Sequence, residues 1–226
     1  PRIWFYHDGR HPHIYRYEPP MSKLQYVACI DELAGTPVEA VSFCLGEGRT
    51  MLHDTQVGEL LGHNVESWDH AIFRRAHQNA VGLIEAGDDP LRLICERAKL
   101  RGMALYPCLL VQNPGEENAT VRCSDFRRDN PHLEIRARAD LEVDLPWIGG
   151  LDFAHEEVRE ERFALIAETL SEYDVDGFEL QLNNHPRYFH PGQIDAGRTL
   201  MTDWVGRIHE AVQGSGRGRQ LVARVP

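Results

Sequence analysis

The sequence predicts an α/β fold of the TIM type: the N-terminal five-strand portion of a (β/α)8 barrel, with parallel strands inside and helices outside. Strand-like and helix-like segments alternate along residues 1–226, which favours one domain with parallel strands. Links from helix to strand are short, whereas those from strand to helix run to roughly 15 or 40 residues against a usual few. No glycine-rich phosphate loop follows the first strand, which disfavours a doubly wound dinucleotide-binding fold.

Five strand signals are present, at 3–7, 38–45, 103–111, 175–182 and 221–225. Ser22 and the Asp89-Pro90 pair are typical helix starts, and amphipathic helices are predicted over 155–173 and 199–212. A closed barrel of this type takes eight strands and about 250 residues. We therefore expect the domain to be incomplete at its C-terminus.

Composition restricts the partners. The formal net charge of −11 argues against nucleic acid or an anionic membrane as a partner, and no apolar run approaches the length of a membrane span. The sequence predicts no cofactor. Five widely spaced cysteines indicate free buried thiols rather than a disulfide framework, which favours a cytoplasmic location over secretion with a removed signal.

The most informative segment is the fourth predicted strand and its continuation, YDVDGFELQLNNHP over 173–186. Because strand side chains alternate between faces, Glu179, Gln181 and Asn183 share one face while the intervening apolar residues share the other. A polar row at the C-terminal end of a barrel strand is typical of a substrate site.

The stretch 150–189 resembles the glycosyl-hydrolase-like barrel family, a group of predicted (β/α)8 glycosidases. The matching segments are DPLRLICERAKLRGMALYP at 89–107 and LDFAHEEVREERFALIAETLSEYDVDGFEL at 151–180. The resemblance implies a barrel with acidic groups at its strand ends. The chain departs from the family at Gln181, where an aspartate is common and where an amide can serve neither as nucleophile nor as base.

Glycoside hydrolysis usually needs two carboxyl groups. Glu179 is the first candidate, as acid, base or substrate clamp; the alternative is a buried carboxylate paired with an arginine inside the barrel. Glu47, just past the second strand, is the best candidate for its catalytic partner; the alternative is a solvated loop glutamate beside Arg49. Asp8 is a third possibility, and the partner could also lie on strands beyond Pro226.

A second group of residues is predicted to bind substrate. Tyr188 and Phe189 offer ring faces for sugar stacking, although they could instead pack the loop against helices. The predicted contacts follow the first, third and fourth strands and are His7, Asp8, Gln112, Asn113, Gln181, Asn183, Asn184, His185 and Arg187.

Three functions are compatible with these residues. The first is a glycoside hydrolase acting on an oligo- or polysaccharide, and the second is a non-catalytic carbohydrate-binding barrel. The third is a metal-dependent sugar isomerase or lyase-like barrel that uses His7, Asp8 and His185. Self-association, or a missing C-terminal half, would complete the barrel.

Overall fold

The structure is a computed structural model that describes residues 3–112, 120–135 and 150–226. Within these ranges it contains one seven-stranded sheet and six α-helices. The strands are β1 (Trp4–His7), β2 (Ala40–Glu47), β3 (Thr50–Met51), β4 (Glu59–Leu60), β5 (Ala104–Leu110), β6 (Gly177–Gln181) and β7 (Gln220–Arg224). The helices are α1 (Lys23–Asp31), α2 (Ala71–Glu85), α3 (Pro90–Leu100), α4 (Asp125–Asp129), α5 (Glu156–Glu172) and α6 (Ile194–Ser215).

Five strands form a parallel sheet in which spatial order follows chain order, β1-β2-β5-β6-β7. These are the five predicted strands, so the α/β class with parallel pairing is confirmed. The short strands β3 and β4 were not predicted. They extend the sheet beyond the end of β2, where β3 pairs antiparallel with β2 and β4 pairs parallel with β3.

The main hydrophobic core lies between one face of this sheet and helices α1, α3, α5 and α6. Val41, Phe43 and Leu45 of β2 and Phe178 and Leu180 of β6 point into it. Burial of these side chains supplies most of the driving force for packing the helices on this face. The opposite face therefore carries the alternate residues of each strand.

Predicted helix starts are present where the capping chemistry is clear. Ser22 and Gln25 form a reciprocal capping box at the start of α1. The Asp89 carboxylate accepts the backbone N–H of Leu91 at 3.2 Å, and Pro90 opens α3.

Helix α2 was not predicted. Its N-cap residue, His70, makes no side-chain capping hydrogen bond, and Gly82 interrupts the helix-favouring composition. Helix α6 extends beyond the predicted 199–212 at both ends. No helix in the described ranges is long and apolar enough to cross a membrane.

Candidate functional site

The sheet face opposite the helical core, here called the inner face, carries polar and thiol side chains. Strand register places its members side by side, since Cys44 pairs with Cys108, Cys108 with Glu179, and Gln181 with Arg224. The inner face includes Tyr6, Ser42, Cys44, Cys108, Leu110, Glu179, Gln181 and Arg224, and Glu47 joins it at the end of β2. The alternation predicted for β6 thus places Glu179 and Gln181 together, away from the helices.

Glu179 is only 2% exposed, and residues from two other strands meet its carboxylate. The Ser42 hydroxyl donates to Oε2, and Nη2 of Arg224 lies 2.8 Å from Oε1. The Arg224 guanidinium also stacks over the Tyr6 ring, 4.7 Å from its centroid. Glu179 therefore has the arginine partner that one of the two sequence interpretations expected.

A β-bulge determines where Glu47 points. The register between β2 and β5 shifts between Cys44 and Gly46, so Glu47 pairs with Leu110 of the inner face. Without the extra residue, strict alternation from Cys44 would place Glu47 on the helical side. The bulge thus brings Glu47 to the same face as Glu179.

Glu47 is buried at the end of β2 between two arginines. Arg10 pairs with Oε1, while Nε and Nη2 of Arg122 lie 2.9 and 2.5 Å from Oε2. Arg49 instead pairs with Glu59 and Glu161. The expectation of a solvated Glu47 beside Arg49 is therefore wrong, because the bulge turns Glu47 inward.

The loop after β6 also reaches this end of the sheet. Partial burial lowers the pKa of His185. The Glu47 carboxylate opposes this lowering, and the positive charge of Arg122 adds to it. These electrostatic effects place His185 in the neighbourhood of Glu47. His185 has a φ of 54°, a left-handed conformation that histidine adopts more readily than most residues.

The other predicted substrate contacts of this loop differ in their exposure to solvent. Asn183 is exposed, whereas Asn184 and Arg187 are half-buried. The Tyr188 hydroxyl donates to the Leu182 carbonyl at 3.2 Å, and its ring meets that of Phe153 edge-on at 5.1 Å. Tyr188 and Phe189 pack against the core, as the alternative interpretation of these rings expected.

Gln181, 4% exposed, presents an amide whose Nε2 makes no hydrogen bond within the described ranges. The Tyr6 hydroxyl lies nearby, where burial raises the pKa of Tyr6 and the Gln181 amide opposes that rise. A buried donor without a geometric hydrogen bond is costly, which makes this amide, beside Tyr6, a candidate contact for a bound ligand.

The Gln112 side chain forms hydrogen bonds with the backbone of two loops. Its Nε2 donates to the carbonyls of Leu151 and Arg187 at 2.8 and 2.7 Å, and its Oε1 accepts the Leu151 N–H at 3.0 Å. The side chain therefore joins two loops at the end of the sheet. Asn113 lies outside the described residues.

His7 and Asp8 are not assembled with His185 into a metal centre in the described part of the chain. The His7 ring stacks on Phe43 at 5.0 Å, and Phe43 belongs to the helical core. Asp8 Oδ1 accepts the backbone N–H groups of Arg10 and His11 at 3.1 and 2.9 Å. Asp8 thereby fixes the turn that carries Arg10.

One cluster of metal-ligating types occurs in the described ranges: Glu59, His63 and Asp125, with ligand atoms within 4.8 Å of one another. Its groups already bond to one another or to neighbours, since His63 Nε2 lies 2.8 Å from Asp125 and Arg49 Nε lies 2.8 Å from Glu59. The cluster therefore closes a hydrogen-bonded network between β4 and α4.

Five residues absent from the sequence prediction surround the two carboxylates: Tyr6, Ser42 and Arg224 around Glu179, and Arg10 and Arg122 around Glu47. The strand signal at 221–225 already contained Arg224. Its partner depends on the order of strands, which the alternating pattern does not give.

No protein-family model and no curated protein matches the sequence. Among solved structures, the chain is similar to alpha-L-fucosidase isoenzyme 2 from Paenibacillus thiaminolyticus, with a TM-score of 0.59 and 15% identity over 98% of this chain and 32% of that one. It is also similar to an alpha-galactosidase from Thermus thermophilus, with a TM-score of 0.54 and 17% identity over 100% of this chain and 38% of that one. For a maltogenic alpha-amylase from Thermotoga neapolitana the TM-score is 0.57, with 14% identity over 98% of this chain and 45% of that one.

These structural neighbours are glycoside hydrolases, and the chain spans less than half of each. At such identities the likeness concerns the fold.

Proposed function

We propose that this chain is part of a (β/α) barrel that acts on carbohydrate as a glycoside hydrolase, with Glu179 and Glu47 as its carboxyl groups. The observation that carries the proposal is their placement: both lie on the inner face near the C-terminal ends of parallel strands. In barrel enzymes this end of the sheet carries the catalytic groups.

The sheet geometry is compatible with two-carboxylate chemistry. Glu47 is level with Gln181 across one intervening strand, so the β2 and β6 backbones are about two strand spacings, roughly 10 Å, apart there. Glu179 lies two residues before Gln181, roughly 7 Å away along β6, so the carboxyl separation depends on how far both side chains extend inward. Carboxyl separations of about 5–9.5 Å cover retaining and inverting mechanisms.

The neighbouring groups suit a polar substrate. Gln181 offers an unused buried donor, and Tyr6 offers a hydroxyl beside it. His185 approaches from the loop after β6. These are the groups we propose for sugar hydroxyls, while Gln112 holds the surrounding loops.

The fold supports the barrel part of the proposal. Its five parallel strands follow chain order without the reversal that marks doubly wound sheets. Beside β7 lies a crevice of about 1000 Å³, lined by apolar groups that include Phe189, Met201 and Val225. We propose that a further part of the barrel, or a second copy of the chain, covers this side.

A second function, non-catalytic carbohydrate binding, is favoured by one specific observation. Glu179 is engaged by Arg224 and Ser42, and the adjacent inward position carries the amide of Gln181 instead of a second acid. Such a face retains hydrogen-bonding groups without a free carboxylate.

The test uses Glu179→Gln and Glu47→Gln on a panel of α-fucosides, α-galactosides and α-glucans. Released reducing ends and calorimetric binding are measured together, with the exposed Glu172→Gln on α5 as control. Hydrolysis should be lost in both site variants and kept in the control. Binding without release by the unaltered chain selects the second function, and unchanged turnover in both site variants refutes the catalytic assignment.

A further inference from the structure

Two thiols face each other on the inner face. Cys44 of β2 and Cys108 of β5 are register partners on neighbouring parallel strands, and both are buried. Neighbouring strands lie about 4.8 Å apart, which is inside the Cα separation of about 4.4–6.8 Å that a disulfide requires. The two positions can therefore be bridged without moving the strands.

The two thiols have different chemical surroundings. The Cys44 thiol donates to the Gly46 carbonyl at 3.5 Å. The neighbouring Cys108 thiol lowers the pKa of Cys44 most, and the Arg10 guanidinium and the Tyr6 hydroxyl act in the same direction against the effect of burial. Burial and the neighbouring Cys44 raise the pKa of Cys108. Cys44 is thus the better nucleophile and Cys108 the protonated partner.

The remaining cysteines lack this arrangement. Burial in helices α1 and α3 raises the pKa of Cys29 and of Cys95 to about 12. Burial also raises the pKa of Cys123, which is only half-buried. Reaction with a mild oxidant should therefore begin at Cys44. Its thiol is buried, so the oxidant must enter past its half-exposed neighbours Tyr6 and Arg10.

We propose that Cys44 is an oxidation site for hydrogen peroxide or another small hydroperoxide, and that Cys108 converts its product to an interstrand disulfide. The Cys44 sulfur attacks one peroxide oxygen; an S–O bond forms, the O–O bond breaks, and the leaving hydroxide takes the thiol proton as water. The Cys108 sulfur then attacks Cys44; the S–S bond forms, the S–O bond breaks, and hydroxide leaves with the Cys108 proton as water.

In total, two thiols lose two electrons and one hydrogen peroxide becomes two waters. The disulfide would lie directly beside Glu179, the register partner of Cys108 on β6. Oxidation would therefore also fix the β2–β5 pair on the face that carries the candidate site.

The experiment treats the intact chain with hydrogen peroxide, removes the oxidant with catalase and alkylates the remaining thiols after denaturation. Before alkylation we expect a mass lower by two hydrogens than that of the reduced chain. After alkylation we expect three of the five cysteines to be modified, with a cross-linked peptide that joins Cys44 to Cys108. Dithiothreitol should restore all five alkylations. Cys29→Ser and Cys95→Ser, the controls, should still form the bridge.

Two variants separate the roles. Cys44→Ser should lose the reaction, whereas Cys108→Ser should stop at a sulfenic acid on Cys44 that dimedone traps. Cys108→Ala serves the same purpose if the serine variant does not fold. The proposal is overturned if peroxide leaves Cys44 free, oxidises Cys123 first, or produces a bridge that survives Cys44→Ser.

Discussion

Arg224 Nη2 lies 2.8 Å from Oε1 of Glu179, so the last strand supplies the cation for the central carboxylate of the inner face. The two residues differ in exposure: Glu179 is 2% exposed, whereas the Arg224 side chain is 37% exposed. The carboxylate thus depends on a partner that water can also reach.

Removing this partner should destabilise the fold. Arg224→Gln leaves the buried Glu179 carboxylate with the Ser42 hydroxyl alone, and we expect a loss of about 1–3 kcal/mol in the free energy of unfolding. Adding Glu179→Gln should recover part of that loss, because no charge is then left buried. Denaturant unfolding of the four members of this cycle measures the coupling, and additive effects would contradict the pairing.

The bulge should depend on a glycine. A Cβ at Gly46 would lie 1.9 Å from the Thr50 carbonyl oxygen, so Gly46→Ala should displace β3 and cost at least about 3 kcal/mol. Gly82→Ala in α2 is the matched control. A Cβ there meets nothing within 4 Å, and loss of a mid-helix glycine should stabilise by about 0.5–1 kcal/mol. Equal melting temperatures for the two variants would show that the bulge tolerates a side chain.

Acid should weaken the fold through His13. Complete burial lowers the pKa of His13 to about 3, so the folded chain holds this ring neutral while an unfolded chain protonates it near pH 6.5. Its contribution is complete above about pH 6.5 and is lost as the pH falls towards about 3. His13→Leu should flatten the dependence of unfolding free energy on pH across this window. His209→Leu, at an exposed position of α6, is the control variant. If His13→Leu shows the same slope as this control, His13 is not the source of the pH dependence.

Gln112 should stabilise loops. Gln112→Leu removes three hydrogen bonds to the Leu151 and Arg187 backbones, each contributing about 1 kcal/mol. We expect a lower melting temperature and faster proteolysis near both loops. Gln213→Leu removes one exposed hydrogen bond and should change little. Unaltered stability combined with weaker glycan binding would instead assign Gln112 to substrate contact.

The inward direction of Glu179 could be predicted because β6 alternates sharply between apolar and polar residues. The first strand gives no such contrast, because its residues are aromatic on both faces. The sequence therefore did not indicate that Tyr6, rather than His7, lies on the inner face. Glu47 was a candidate from the sequence, but its burial beside the other inward-facing residues depends on a bulge. The one extra residue moves every following side chain of β2 to the opposite face from the one that strict alternation predicts.

The ion pairs between segments that are distant in sequence could not be predicted either. Arg10, Arg122 and Arg224 reach the carboxylates only after strand order and loop paths are set. Helices α2 and α4 were not predicted either, and capping does not explain both, because Ser124 caps α4 whereas neither α2 nor the predicted α5 has a capping side chain.

Arg224 lies on β7, one of the two outer strands of the parallel set in the described ranges, and therefore at an edge of the inner face. Any strand that docks alongside β7 takes its direction and register from it, and must set an inward side chain next to this guanidinium. An acidic side chain at that position would compete with Glu179 for the same cation, whereas an apolar one would leave the pair intact. The charge beside Glu179 thus depends on this sheet together with any strand that adjoins it.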